Sequence, residues 1–149
     1  MAGDENDHEQ CTAALLFALV QLEGKLTAAG ERLVGPLGLT PARWKVLGTI
    51  RTTPMTMAQI GRQLGNARQS VRRIVGELAD AGLVRTVENP RSKKAALVEI
   101  TPDGLALYKQ ADAVRIPWNR ELASRLDSGE VRTALKVVGQ LSAMLADAD

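Results

Sequence analysis

Apolar residues recur at helical spacing in six stretches of this chain and in alternation in two short ones. The first stretch runs from about Glu9 to Val34. Leu15, Leu19, Leu22 and Leu26 fall three or four apart, and Leu16 and Val20 widen the stripe beyond what one small core covers. That breadth suits a helix with a second surface to fill, such as a partner subunit. The run from Gly35 to Gly38 ends it. Thr40-Pro41 opens a second helix, with Thr as cap and Pro at the first position, where its missing N–H costs nothing. Trp44, Val46, Leu47 and Ile50 form its inner face, and Thr53-Pro54 breaks it. Thr56 and Gln59 spell a capping box, and Met57, Ile60 and Leu64 line the short helix behind it.

Gly65-Asn66 reads as a turn, and a further helix spans about Ala67 to Asp80. Its apolar positions Val71, Ile74, Val75 and Leu78 stand at i, i+3, i+4 and i+7. Gly82 closes it. Two strand patterns follow, Leu83 to Glu88 and Ala95 to Ile100, joined by the turn-forming, basic segment Asn89 to Lys94. Thr101-Pro102 starts a long helix to about Arg125, which Pro117 should kink or interrupt. Asp127-Ser128 caps a last helix to about Ala146, striped by Val131, Leu135, Val138, Leu141 and Leu145. The predicted fold is mainly α with a small β-hairpin: a winged helix-turn-helix flanked by terminal helices.

The chain has 149 residues, a length that fits one domain with appendages. Apolar residues make up 45% and charged residues 24%, which argues against disorder throughout. Cys11 is the one cysteine, so an internal disulfide or a cysteine zinc cluster is excluded. Asp7, Glu9 and Gln10 offer it no neighbouring positive charge of the kind a reactive thiol needs, so it reads as inert. His8 is the one histidine and lies in a polar segment expected to fray, which disfavours most histidine-based catalysis. No uncharged apolar run approaches the roughly 18 residues of a membrane span, and the acidic start is unlike a signal peptide. A cytoplasmic protein with no cofactor, metal or membrane partner is expected.

The overall charge of +2 hides an asymmetry. From Arg62 to Lys94 there are eight basic and three acidic residues, so that stretch carries +5 and the remainder −3. A local basic patch is the footprint of a nucleic-acid binder, or a solvated surface that happens to be basic. The pattern of the helix from Ala67 weighs on this choice. With Val71, Ile74, Val75 and Leu78 inside, Gln69, Arg72, Arg73 and Gly76 face outward, with Arg68 on the flank. Arginine can bind guanine bidentately and glutamine can do the same for adenine, in a groove wide enough for a helix. Gly76, costly on a helix surface, would let a backbone lie close. Two other classes compete. An enzyme has no phosphate loop, metal motif or nucleophile elbow to support it. A winged-helix protein-interaction module without DNA binding tends to lose the arginines that this helix keeps.

The run Met55 to Gly65, then Arg68 to Val75, Leu78 to Arg85 and Ala96 to Gly104, resembles the MarR family of bacterial winged-helix regulators. Leu39 to Leu47 resembles the helix that precedes the module in that family. The resemblance follows element order from about residue 12 to 147. The polar start reads as a disordered tail over 1–8; the resemblance implies a dimerisation helix over 9–36, a winged helix-turn-helix over 37–101 and C-terminal dimerisation helices over 102–149. It further implies a homodimeric transcriptional regulator, usually a repressor, bound to double-stranded DNA at a pseudo-palindromic operator. Many members release DNA on binding a small phenolic or carboxylate effector. DNA contact then falls to Arg68, Gln69, Ser70, Arg72 and Arg73 on the helix and Arg91, Lys93 and Lys94 on the wing. Arg43, Trp44 and Trp118 are positional candidates for an effector site. One departure stands out. The family's wing usually carries an Asp followed two residues later by Arg, and here those positions are Ser92 and Lys94. The bracing acid is missing, and Lys lacks the planar fork of Arg.

Overall fold

Side-chain caps fix the starts of several helices. The computed structural model describes residues 2–65 and 68–146, with side chains from residue 6 onward. Helix α1 spans Ala2–Val34 and a single 3-10 turn, Gly35–Leu37, follows it. Helix α2, Pro41–Ile50, starts at Thr40, whose hydroxyl accepts the Arg43 N–H at 3.2 Å. Helix α3, Met57–Leu64, starts at a complete capping box: Gln59 N–H donates to the Thr56 hydroxyl at 3.2 Å, and Thr56 N–H donates to the Gln59 side chain at 2.8 Å. Gly65 ends α3 in the left-handed region at φ 64°, where L residues with a Cβ are strained. Helix α4, Arg68–Asp80, follows; Asn66 and Ala67, expected as turn and helix start, lie outside the described residues.

The hairpin strands are β2, Val84–Val87, and β3, Leu97–Ile100, paired antiparallel with Val84 opposite Ile100 and Thr86 opposite Val98. They are shorter than their apolar patterns, because Glu88 to Ala96 form the turning tip. A two-residue strand, β1, Met55–Thr56, pairs antiparallel with β3 on its other side, so the hairpin is part of a three-stranded sheet of order β1-β3-β2. Two residues give no readable alternation, which is why β1 has no signature in the sequence. Helix α5 spans Pro102–Ala123 and helix α6 spans Ser128–Ala146. The chain divides into two compact units, Met1–Asp112 and Ala113–Asp149, and α5 passes from one to the other.

In the first unit, α4 packs on α2, α3 and β2. The core gathers Leu47 and Ile50 of α2, Ile60 of α3, Val71, Ile74, Val75 and Leu78 of α4, and Val84 and Val98 of the sheet, none more than 4% exposed. The four periodic positions of α4 are therefore all inside. In the second unit, Asp127 Oδ1 accepts the N–H groups of Gly129 and Glu130 at 2.8 and 2.9 Å, the expected cap of α6. No residue of α6 is buried: Leu135 is 66% and Leu145 67% exposed. On α1, Phe17 and Val20 are also exposed.

Two expectations need correction. Helix α1 begins at Ala2, so residues 2–8 of the segment expected as a disordered tail are helical; between Asn6 and Gly24 no Gly or Pro stops a helix growing backward. Helix α5 continues through Pro117, so of the kink or interruption expected there the interruption is absent. The ring removes one backbone bond, and the helix is long enough on both sides to hold.

The wing is tied to α5 by a close backbone contact. Leu83 C=O accepts the Thr101 N–H at 3.0 Å, and the Thr101 hydroxyl donates to Gly82 C=O at 2.7 Å while accepting the Gly104 N–H at 3.1 Å. A Cβ on Gly104 would stand 2.0 Å from the Leu83 oxygen. That oxygen is held by its own hydrogen bond and cannot yield cheaply. Gly104→Ala is expected to lower unfolding stability by about 1–3 kcal/mol, the usual cost of overpacking. A urea titration checks this: the midpoint should fall with the slope unchanged.

Candidate nucleic-acid interface

Burial of one face of α4 sets what its other face presents. Arg68, Gln69, Ser70, Arg72 and Arg73 are all exposed, and all lie in the first half of the helix. The structure thus brings the five helix candidates together on one exposed surface. Gly76 is exposed too, and apart from its chain neighbours and the adjoining backbone of its own helix no atom of the described residues lies within 4 Å of where its Cβ would be. The close backbone approach expected there does not come from within the described chain.

The tip of the wing presents Arg91, Lys93 and Lys94, all exposed. Its bracing comes from neutral groups. Asn89 Nδ2 donates to Ala95 C=O at 2.8 Å, and Asn89 Oδ1 accepts the Arg91 N–H at 3.0 Å. Ser92 N–H donates to Asn89 C=O at 3.1 Å, and the Ser92 hydroxyl accepts the Lys94 N–H at 3.3 Å. Asn89 therefore spans the tip from end to end. In the sequence it is legible only as the first residue of a turn-forming segment. At the base of the wing, Arg85 donates to Glu99 across the strands at 2.7 Å.

A carboxylate sits among the arginines. Glu77, one turn beyond Arg73 on α4, accepts a hydrogen bond on Oε2 from Arg43 Nε of α2 at 3.0 Å, and Arg43 Nη2 forms an ion pair with the same oxygen at 3.0 Å. Its other oxygen, Oε1, pairs with Nη1 of Arg73. Arg43 and Glu77 are partly buried, with side chains 29% and 33% exposed, whereas Arg73 is 66% exposed. The pair within the helix has Arg preceding Glu by four, the weaker orientation. The cross-helix contact with Arg43 is what fixes the carboxylate. Hydrogen bonds from Arg43, then from Arg73, hold the Glu77 carboxyl below the ordinary glutamate value.

Of the three residues expected at an effector site, Arg43 turns to Glu77 and Trp44 is half-buried against the core. Trp118 is half-buried in the second unit, so no single unit brings the three together. Among the described residues no group of three acidic, His or Cys side chains could hold a metal ion.

Comparison with known proteins agrees with this geometry. A profile described as MarR family matches residues 37–95, from just before α2 to the wing tip. An uncharacterized protein of Mycobacterium tuberculosis is 30% identical over 115 residues, covering 77% of this chain and 80% of that one. The multiple antibiotic resistance protein MarR of Salmonella typhimurium is 29% identical over 121 residues, covering 80% and 82%. A mutant MarR from E. coli, solved complexed with operator DNA, superposes with a TM-score of 0.70 at 26% identity, covering 85% and 94%. The fold and site define a winged helix-turn-helix DNA-binding protein of the transcription regulators, a class of binders rather than enzymes. Within that class, the chain belongs to the MarR family.

The Glu77 cluster makes a stability prediction with a definite sign. A carboxyl whose folded pKa is depressed contributes stability above its unfolded pKa and loses it as pH falls through the folded one. Wild type should therefore be more stable than Glu77→Gln at neutral pH. The gap in urea midpoint should close on acidification below the ordinary glutamate range. A gap that stays constant down to the acid transition would mean the ion pairs contribute nothing.

Proposed function

We propose that this regulator is a ligand-responsive repressor that binds a pseudo-palindromic operator as a homodimer. Helix α4 enters the major groove, and the wing lies on the backbone. The observation that carries the reading is the division of α4: Val71, Ile74, Val75 and Leu78 are at most 2% exposed, while Arg68, Gln69, Ser70, Arg72 and Arg73 stand free of the core in its first half. Gln69, Arg72 and Arg73 are the base-reading candidates, with Arg68 shared between base and phosphate. Arg91, Lys93 and Lys94 contact phosphates, which position a protein without reading sequence. That a mutant MarR from E. coli of the same fold was solved complexed with operator DNA supports DNA binding by this chain. Effector release and repression rest on the family resemblance.

The dimer reading is supported by uncovered apolar surface. Helix α6 buries none of its residues, and α1 leaves Leu15, Leu16, Phe17, Val20, Leu22 and Leu26 exposed. Patches of that extent mark interaction sites. By length and composition α1 could also cross a membrane, with a mean hydropathy of 1.3 in its most apolar window. Membership of a family of DNA-binding regulators favours a second copy of the chain as the covering partner.

Selection from random duplex DNA tests the function. Wild type should enrich a pseudo-palindrome with half-site centres about 10 base pairs apart, one turn of DNA. Arg72→Ala should cost about 1–3 kcal/mol and relax preference at one position per half-site. If it changes neither, α4 does not read bases. Leu135→Asp should shift the full chain from dimer to monomer in light scattering and weaken operator binding at least about ten-fold, since linked half-sites no longer cooperate. A wild-type chain that is monomeric at micromolar concentration removes the dimer.

A further inference from the structure

We propose that Glu77 is a specificity-determining positioning residue: anchored by Arg43 of α2, it orients Arg73 for base reading and at the same time weakens binding to DNA in general. The inference rests on the DNA-binding reading above.

An arginine on a helix surface has several rotatable bonds, and its planar fork recognises a guanine edge only when held in one plane. Ordering that side chain on binding costs affinity, and ordering it beforehand removes the cost. Here the Arg73 guanidinium is tethered through Nη1 to Glu77 Oε1, while the side chain stays 66% exposed with donors left over. The tether is firm because Glu77 is itself held. Arg43, 34 residues earlier in the chain, brings Nε and Nη2 to Oε2 at 3.0 Å, and the contact is partly buried. The carboxylate thus gives one oxygen to each arginine and cannot swing from one to the other without breaking a pair.

The same carboxylate is a negative charge one helical turn from a residue that faces a polyanion. It repels phosphate wherever the helix docks, whatever the base sequence. Removing it makes the DNA-facing surface one charge more positive per subunit. Binding to any duplex should then strengthen, and discrimination at the base read by Arg73 should weaken. These opposite signs separate positioning from a merely structural role, because loss of folding lowers both affinities together. Specificity built from a repulsive element as well as an attractive one is a general device.

The test uses the full-length chain, a duplex enriched by wild type from a random pool, and a scrambled duplex of the same composition. For Glu77→Ala, affinity for the scrambled duplex should rise a few-fold, and the ratio of enriched to scrambled affinity should fall about ten-fold, the worth of one arginine–guanine pair. In an Arg73→Ala background, adding Glu77→Ala should leave the ratio within about two-fold, because the group it positions is gone. Should Glu77→Ala fail to fold, Glu77→Gln carries the same comparison: the charge is lost and one acceptor kept, so scrambled affinity rises and the ratio falls less. The role of Glu77 is overturned if the ratio is unchanged in the substituted chain, if it falls equally with Arg73 absent, or if both affinities drop together. If wild type enriches no sequence at all, the DNA-binding reading fails and takes this one with it.

Discussion

The burial of one stripe of α4 constrains everything else in the first unit. Val71, Ile74, Val75 and Leu78 are packed against α2 and α3, and the 3.6-residue period leaves Gln69, Arg72 and Arg73 no direction but outward. The helix cannot rotate to hide its arginines without exposing four branched apolar side chains. Burying each of those is worth about 1.5–3 kcal/mol, so the orientation of the arginines is set by the core and not by any interaction of their own. The capping box at Thr56 and the left-handed Gly65 place α3 and its turn so that α4 can present this face. The carbonyl of Leu83, against Gly104, joins the wing to the start of α5.

Electrostatics then refine what packing has positioned. The stretch from Arg62 to Lys94 is strongly basic, yet two of its arginines answer to carboxylates: Arg73 to Glu77, and Arg85 to Glu99. Attraction to a polyanion would be greater without Glu77. Its presence at the centre of the cluster makes sense for a protein that must discriminate among duplexes, since unselective phosphate binding competes with the operator everywhere on the genome. Asn89 plays a comparable part on the wing, where a neutral side chain clasps a tip carrying three basic residues.

Much of this was legible in the sequence because it depends on neighbours within one or two turns. The α4 stripe, the Thr56–Gln59 box, the Thr40 and Asp127 caps and the end of α3 at Gly65 are all local signals, and each stands where its pattern puts it. The misses are of three kinds. Strand β1 has two residues and exists only because β3 pairs with it. The start of α1 at Ala2 and the passage of α5 through Pro117 show helices extending past weak or single stop signals. The contact of Arg43 with Glu77 joins residues 34 apart, which no periodicity can reveal. Charge counting had set Glu77 against the basic patch as a subtraction, when its effect depends on which guanidinium each oxygen meets.

The most direct measurement of the central claim is guanine methylation interference on a duplex enriched by the wild-type chain. Methylation at N7 blocks the major-groove edge that an arginine would occupy. If two copies of α4 read the major groove, interference falls in two clusters about 10 base pairs apart, related by a two-fold axis, and substitution of Arg72 removes the same guanines from both. Interference that is absent, that forms a single cluster, or that is unchanged by the substitution contradicts the assignment of α4 as the reading helix.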